Sequence, residues 1–134
     1  MPYDVGVCAA ARDAGGARGA RMVLRKDFDE RGFRFFTDER SAKGEQLGAR
    51  PVAAMVFYWR ELDRQVRIRG PVERLGQEES DEYFATRPRE SRIGAWASPQ
   101  SRPLDGRDEL ERRVAEAEER SPGEDVPRPP HWGG

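Results

Sequence analysis

VAAMVFYW (Val52–Trp59), followed after a short break by QVRIRGPVERL (Gln65–Leu75), reads as two consecutive β-strands. The first is the most apolar run in the chain and is long enough for one buried strand. The second alternates. Val66, Ile68, Gly70 and Val72 fall on one side, and Arg67 and Arg69 fall on the other, the period-two pattern of a strand with one wet face. Gly70-Pro71 inside it predicts a bulge or an edge position, because proline has no N–H to give to a ladder.

On the N-terminal side, Val5–Ala11 reads as a short strand and Asp13-Ala14-Gly15-Gly16 as a turn. Gly19–Lys26 follows as a strand with Met22 and Leu24 on one face and Arg21, Val23 and Arg25 on the other. Asp29-Glu30-Arg31-Gly32 turns the chain into Phe33–Thr37, so these three strands are expected to form an antiparallel meander. Ser41–Ala49 predicts a short helix stopped by Pro51.

On the C-terminal side the period changes. Gln77–Thr86 begins with acidic residues, carries Tyr83 and Phe84 later and stops near Pro88, which suits a helix. Asp105 is placed to cap a last helix in which Leu110, Val114 and Ala117 share a face and Glu109–Arg113 pair at i,i+4. Residues 121–134, SPGEDVPRPPHWGG, have no period and read as a proline-rich terminal arm. The expected fold is therefore mainly β with short helices (α+β), in a single domain over residues 1–134.

The 134 residues include only 23 Leu, Ile, Val and Phe, or 17%, yet the formal charge is just −1. A disordered chain of such low apolar content usually carries strong net charge. A small folded domain with a thin core, helped by a partner chain or a ligand, is the better reading. No run of about 18 apolar residues could span a membrane, and the N-terminus lacks the basic-then-apolar pattern of a secretory signal. These features predict a cytoplasmic protein. Cys8 and His131 are the only residues of their kinds, which excludes a disulfide framework and a Cys-based zinc site, so no metal is expected. The charge balance gives no sign of nucleic-acid binding.

Signatures of self-contained chemistry are missing: there is no Walker loop, no complete G-x-G-x-x-G and no G-x-S-x-G. What remains is a set of basic and hydroxyl residues at strand ends and helix starts. Arg21 and Lys26 flank a strand, Ser41 and Lys43 open a helix, Arg87, Arg89 and Ser91 surround Pro88, and Gln100 and Ser101 follow an aromatic segment. Cations combined with helix N-termini suit a phosphate-bearing ligand, although each Arg taken alone reads as solvated surface.

Four stretches carry a resemblance: RMVLRKDFDERGFRFFTDERSAKGEQLGARP (Arg21–Pro51), FYWRELDRQVRIRGPVERL (Phe57–Leu75), RPRESRIGAWASPQS (Arg87–Ser101) and the closing VPRPPHWGG. Together they resemble the pyridoxamine 5′-phosphate oxidase family almost continuously over Gly19–Gly134, with Arg87–Ser101 the most specific block. The resemblance implies an FMN-binding split β-barrel that works as a homodimer, with FMN at the interface. It implies cofactor contacts from Arg21, Met22, Val23, Leu24, Lys26, Phe36, Thr37, Lys43, Gln65, Gln100 and Ser101. It implies that Lys26, Tyr83, Arg87 and Ser91 hold the substrate's phosphate. No catalytic side chain is implied, because the flavin carries the redox step.

The implied reaction is oxidation of pyridoxamine or pyridoxine 5′-phosphate, a small phosphorylated B6 vitamer, to pyridoxal 5′-phosphate by molecular oxygen, giving hydrogen peroxide. Three departures qualify it. Ala42 stands where the family has an arginine gripping the FMN phosphate, and Phe36 stands where tyrosine is common. The family also continues past W-G-G into further strands, so the resemblance reads this chain as truncated at the C-terminus. Two alternatives stay open: another split-barrel flavin or deazaflavin reductase, and a truncated, non-catalytic flavin- or vitamin-binding protein.

Overall fold

The turn after the first apolar segment is built by Asp13. Its carbonyl accepts the Gly16 N–H at 3.1 Å, its Oδ1 accepts the Ala17 N–H at 2.9 Å, and its own N–H reaches the Ala17 carbonyl at 2.9 Å. Gly16 sits at φ 89, a conformation that costs glycine little and other residues more. The computed structural model describes residues 5–25 and 27–134. In it the turn joins β1 (Val5–Arg12) to β2 (Arg18–Arg25) as an antiparallel pair. The described residues form two compact units, one running to Phe36 and including Lys43–Arg74 and Gly134, the other comprising Thr37–Ala42 and Leu75–Gly133.

The first unit is built on a four-stranded antiparallel sheet. Naming β6 (Val52–Trp59) and β7 (Arg64–Pro71), its order is β2-β1-β6-β7. A 3-10 turn at Arg60–Leu62 and a left-handed Asp63 (φ 48) join β6 to β7. One face of the sheet carries the core: Val7, Ala9, Val23, Met55 and Phe57, with Phe35 and Ile68 against them. Burying each of the larger of these side chains contributes about 1.5–3 kcal/mol.

The sequence predicts a buried strand at β6, but only Met55 and Phe57 are buried there and Tyr58 and Trp59 are exposed. Alternation is the reason: Phe57 points into the core, and its neighbours must point away. The opposite face leaves Met22 (68% exposed), Leu24 (48%) and Tyr58 (59%) in water. Gly70-Pro71 marks an edge and not a bulge, since the register runs unbroken from Val52↔Pro71 to Trp59↔Arg64 and β7 is an outer strand.

The expected three-strand meander does not form. Phe33–Thr37 divides: β4 (Gly32–Arg34) pairs with β3 (Asp27–Asp29), whereas β5 (Thr37–Asp38) pairs with β8 (Trp132–Gly133) in the second unit. The tight turn explains the first pairing. Asp29 accepts the Arg31 N–H at 2.8 Å and Gly32 takes φ 137, so the chain returns directly on β3. Phe33 stacks on Phe28 at 5.9 Å and meets Phe57 at 5.5 Å, which docks the hairpin on the sheet. Helix α1 (Ala42–Ala49) follows as the sequence predicts.

The second unit is helical: α2 (Gln77–Thr86), α3 (Arg89–Ala97) and α4 (Arg107–Arg120). The sequence pattern predicts α2 with its observed bounds but leaves α3 unpredicted. Pro88 stops α2 and then occupies the capping position of α3, where its missing N–H costs nothing. Ile93, Ala117 and Val126 form the core, with Trp96 and Val114 packed on them. Asp105 does not cap α4 with its side chain; its N–H donates to Glu109 Oε2 at 2.8 Å while Arg113 donates to Glu109 Oε1 at 2.6 Å. The Asp105 N–H, and then Arg113, hold the Glu109 carboxyl below the usual glutamate range. This contribution is therefore present at neutral pH. It is lost as pH falls below the ordinary glutamate value and through the lower native one.

The proline-rich arm packs back onto the helices. Val126, Pro129 and Trp132 are buried, Arg89 donates to the carbonyls of Ser121 (2.7 Å) and Gly123 (3.0 Å), and Trp96 Nε1 donates to Pro127 O at 2.8 Å.

Candidate functional site

Helix α2 ends at Arg87, whose N–H donates to Phe84 O at 3.1 Å while its backbone is already extended. Pro88 forbids another helical turn, so the Arg87 side chain lies back over the aromatic residues of the unit. Its Cζ is 4.8 Å from the centroid of Trp132 and 5.8 Å from that of Phe84. Tyr83, one turn earlier, is stacked on Trp132 at 6.2 Å and 5°. Phe84 meets the same indole edge-on at 5.0 Å.

Within this aromatic setting Arg87 Nη1 is buried and has no hydrogen-bond partner. Burial pushes the guanidinium below the usual arginine range, and the nearby Tyr83 partly opposes the shift. An unbonded buried donor is costly, so this position favours a ligand with anionic oxygen. The structure thus brings Tyr83 and Arg87 together around Trp132. Ser91 is half-buried in the first turn of α3. Gln100 and Ser101 lie exposed in the turn after α3, with Ser101 left-handed at φ 63.

The remaining predicted residues that are described belong to the first unit, apart from Thr37. On β2, Arg21 donates to Gln46 Oε1 at 2.5 Å and to Gly19 O at 3.3 Å. Met22 and Leu24 are exposed, whereas the Val23 side chain is core and leaves only its backbone for a ligand. Lys26 lies outside the described residues. Phe36 is half-buried, and Thr37, in the second unit, is buried with its hydroxyl donating to Asp38 O at 3.4 Å. Lys43 is half-buried in the first turn of α1 beside exposed Ala42, and Gln65 is exposed on edge strand β7.

Sequence reasoning missed Trp132 as the hub of the aromatic group; its only signal was the W-G-G of a stretch read as an arm. It also missed a buried polar pair in the second unit, His131 Nε2 and Asp38 Oδ2, 3.9 Å apart. Among the described residues no group of three His, Cys, Asp or Glu is placed to hold a metal. No helix there is long and apolar enough to cross a membrane.

These elements match the split β-barrel fold of two solved structures. The structure of PhzG from Burkholderia lata 383, in complex with tetrahydrophenazine-1-carboxylic acid, matches with a TM-score of 0.89 at 28% identity, over 97% of this chain and 63% of that one. A pyridoxamine 5′-phosphate oxidase-related, FMN binding protein from Nostoc punctiforme PCC 73102 shares the fold, with a TM-score of 0.74 at 21% identity over 98% of this chain and 69% of its own. The chain belongs to the pyridoxamine 5′-phosphate oxidase family, whose sequence profile matches residues 4–121. The pyridoxine/pyridoxamine 5′-phosphate oxidase of Microcystis aeruginosa strain NIES-843 is 62% identical over 115 residues, covering 86% of this chain and 54% of that protein. The chain spans less than two thirds of the length of the first such curated relatives, 54–63%.

Proposed function

We propose that this chain binds FMN and the phosphate of a B6 vitamer, and that it serves the oxidation of pyridoxamine or pyridoxine 5′-phosphate to pyridoxal 5′-phosphate in the cytoplasm. The observation that carries the reading is the buried, unbonded Nη1 of Arg87 beside Tyr83. A phosphate dianion supplies the acceptors that this donor lacks. The names of relatives about 55–60% identical support the same substrate class.

The donor set suits FMN as well. In the first unit Arg21 and Lys43 are cations for its phosphate, the Gln65 amide suits the polar edge of its ring, and exposed Met22 and Leu24 suit its apolar surface. When bound, FMN supplies acceptance of two electrons from the carbon bearing the amine or hydroxyl and their delivery to oxygen, giving hydrogen peroxide. The protein's own work is positioning. Arg87, Tyr83 and Ser91 hold the substrate's phosphate, and holding it in place lowers the barrier by fixing the reacting carbon. The apolar sheet face of Met22, Leu24 and Tyr58 supports a homodimer, since such a face left in water marks an interaction surface.

Ala42 favours a second reading, a flavin- or vitamin-binding protein without turnover, because it leaves Lys43 without the usual neighbouring guanidinium. Restoring it gives a prediction: Ala42→Arg tightens FMN binding by about three- to tenfold, with the gain shrinking at high salt. Quenching of flavin fluorescence on titration measures it. The function itself is tested by loading the chain with FMN and assaying hydrogen peroxide on adding pyridoxamine 5′-phosphate in air. Peroxide formed only with the phosphorylated vitamer is the expected result. Retained flavin without peroxide supports the second reading or a different split-barrel reductase, and a chain that retains no flavin contradicts the proposal.

A further inference from the structure

Trp132 is 5% exposed, and one ring serves three neighbours: it stacks on Tyr83, takes the edge of Phe84 and carries the Arg87 guanidinium at 4.8 Å. We propose that Trp132 is a positioning residue of the phosphate site, holding Arg87 and Tyr83 in the arrangement that receives the anion. The inference rests on the reading of Arg87 given above.

Among the described residues no carboxylate pairs with Arg87. A carboxylate would fix the side chain by occupying its N–H donors, the same donors a phosphate needs. An aromatic ring holds a cation through its π face, neutralises none of the charge and spends none of the donors. Trp132 therefore orders Arg87 without spending its N–H donors.

The indole is itself held from several directions. Trp132 pairs with Asp38 across β5 and β8, and its N–H donates to Pro129 O at 3.1 Å. Its carbonyl accepts Arg128 Nη1 at 2.6 Å, and Arg128 Nε reaches Asp81 Oδ1 on α2 at 2.6 Å. Asp81 lies two residues before Tyr83, so the clamp ties Trp132 to the helix that carries Tyr83 and ends at Arg87. This gives the apparently structureless W-G-G segment a role in recognition.

The test uses the full chain loaded with FMN, titrated calorimetrically without oxygen with pyridoxine 5′-phosphate and with pyridoxine. Trp132→Leu is expected to weaken the phosphorylated ligand by about tenfold while leaving pyridoxine and flavin retention unchanged. Trp132→Phe, which keeps a ring face, is expected to stay within about threefold of the unaltered chain. Unchanged affinity in the leucine variant, or equal loss for both ligands, overturns the inference, since a merely structural residue acts on both. If the leucine variant does not fold, Trp132→Met, which also lacks a ring face, decides: a loss confined to the phosphorylated ligand supports the role, and no loss or an equal loss overturns it. Arg87→Ala in the same series separates the two levels. An Arg87→Ala chain that still binds pyridoxine 5′-phosphate normally overturns the phosphate-site reading and this inference with it. Weakened Arg87→Ala beside unaffected Trp132→Leu overturns this inference alone.

Discussion

Arg87→Ala is expected to weaken binding of a phosphorylated B6 vitamer by roughly 10- to 100-fold, about 1.5–3 kcal/mol for hydrogen bonds to a charged group, while FMN affinity stays within about twofold. The selectivity follows from the placement of the side chain, which lies over Trp132 and Phe84 in the second unit with a buried donor unbonded. Folding stability is expected to change by less than about 1 kcal/mol, because losing the ring contacts and relieving a buried unbonded nitrogen oppose each other. Arg87→Lys should fall between, keeping charge but losing the planar fork. Parallel titrations with pyridoxine 5′-phosphate and FMN measure the effect, and equal loss of both would sink the assignment.

Phe84→Ala is the substitution with the largest expected effect on folding. Phe84 is 1% exposed and is the largest fully buried side chain among the described residues. It touches the edge of Trp132 and lies beneath Arg87. Truncating such a ring costs about 3–5 kcal/mol, the lost transfer energy plus the cavity left behind. That is a large share of the 5–15 kcal/mol by which domains are usually stable. Urea unfolding followed by tryptophan fluorescence should show a markedly lower midpoint. Phe28→Ala is the matching control: Phe28 is 61% exposed, so its loss should cost under about 1 kcal/mol. Similar shifts for the two variants would contradict the core described for the second unit.

The parts legible in the sequence are those whose signal is local. β1, β2 and β6 emerge within a residue of their bounds because apolar runs and turn residues lie next to one another, and α2 emerges because an acidic first turn and Pro88 bracket it. α3 was hidden because its nine residues include two arginines and a glutamate and bury only Ile93 and Ala97. Pro88 marks an end by its local chemistry and gives no sign that it is also a beginning.

The terminal arm was illegible for a different reason. Its packing depends on single anchors, Val126, Pro129 and Trp132, whose partners are distant in sequence, and periodicity carries no information about such contacts. For the candidate site, family resemblance supplied Tyr83 and Arg87, which spacing alone would have left as a helix aromatic and a surface cation. The ring that holds them together is 45 residues away from Arg87 in sequence and carries no periodic signal.

The thin core read from composition also becomes more specific. The sheet of the first unit buries one apolar face and leaves Met22, Leu24 and Tyr58 on the other. That distribution suits a chain that relies on a partner or ligand to cover apolar surface, because binding to the folded state stabilises it by mass action.

The most direct measurement is a crystal structure of the chain grown with FMN and pyridoxine 5′-phosphate. A phosphate oxygen about 3 Å from Arg87 Nη1 is expected, with the guanidinium still lying on Trp132. A vitamer whose phosphate is bound elsewhere, with Nη1 left unbonded, would contradict it.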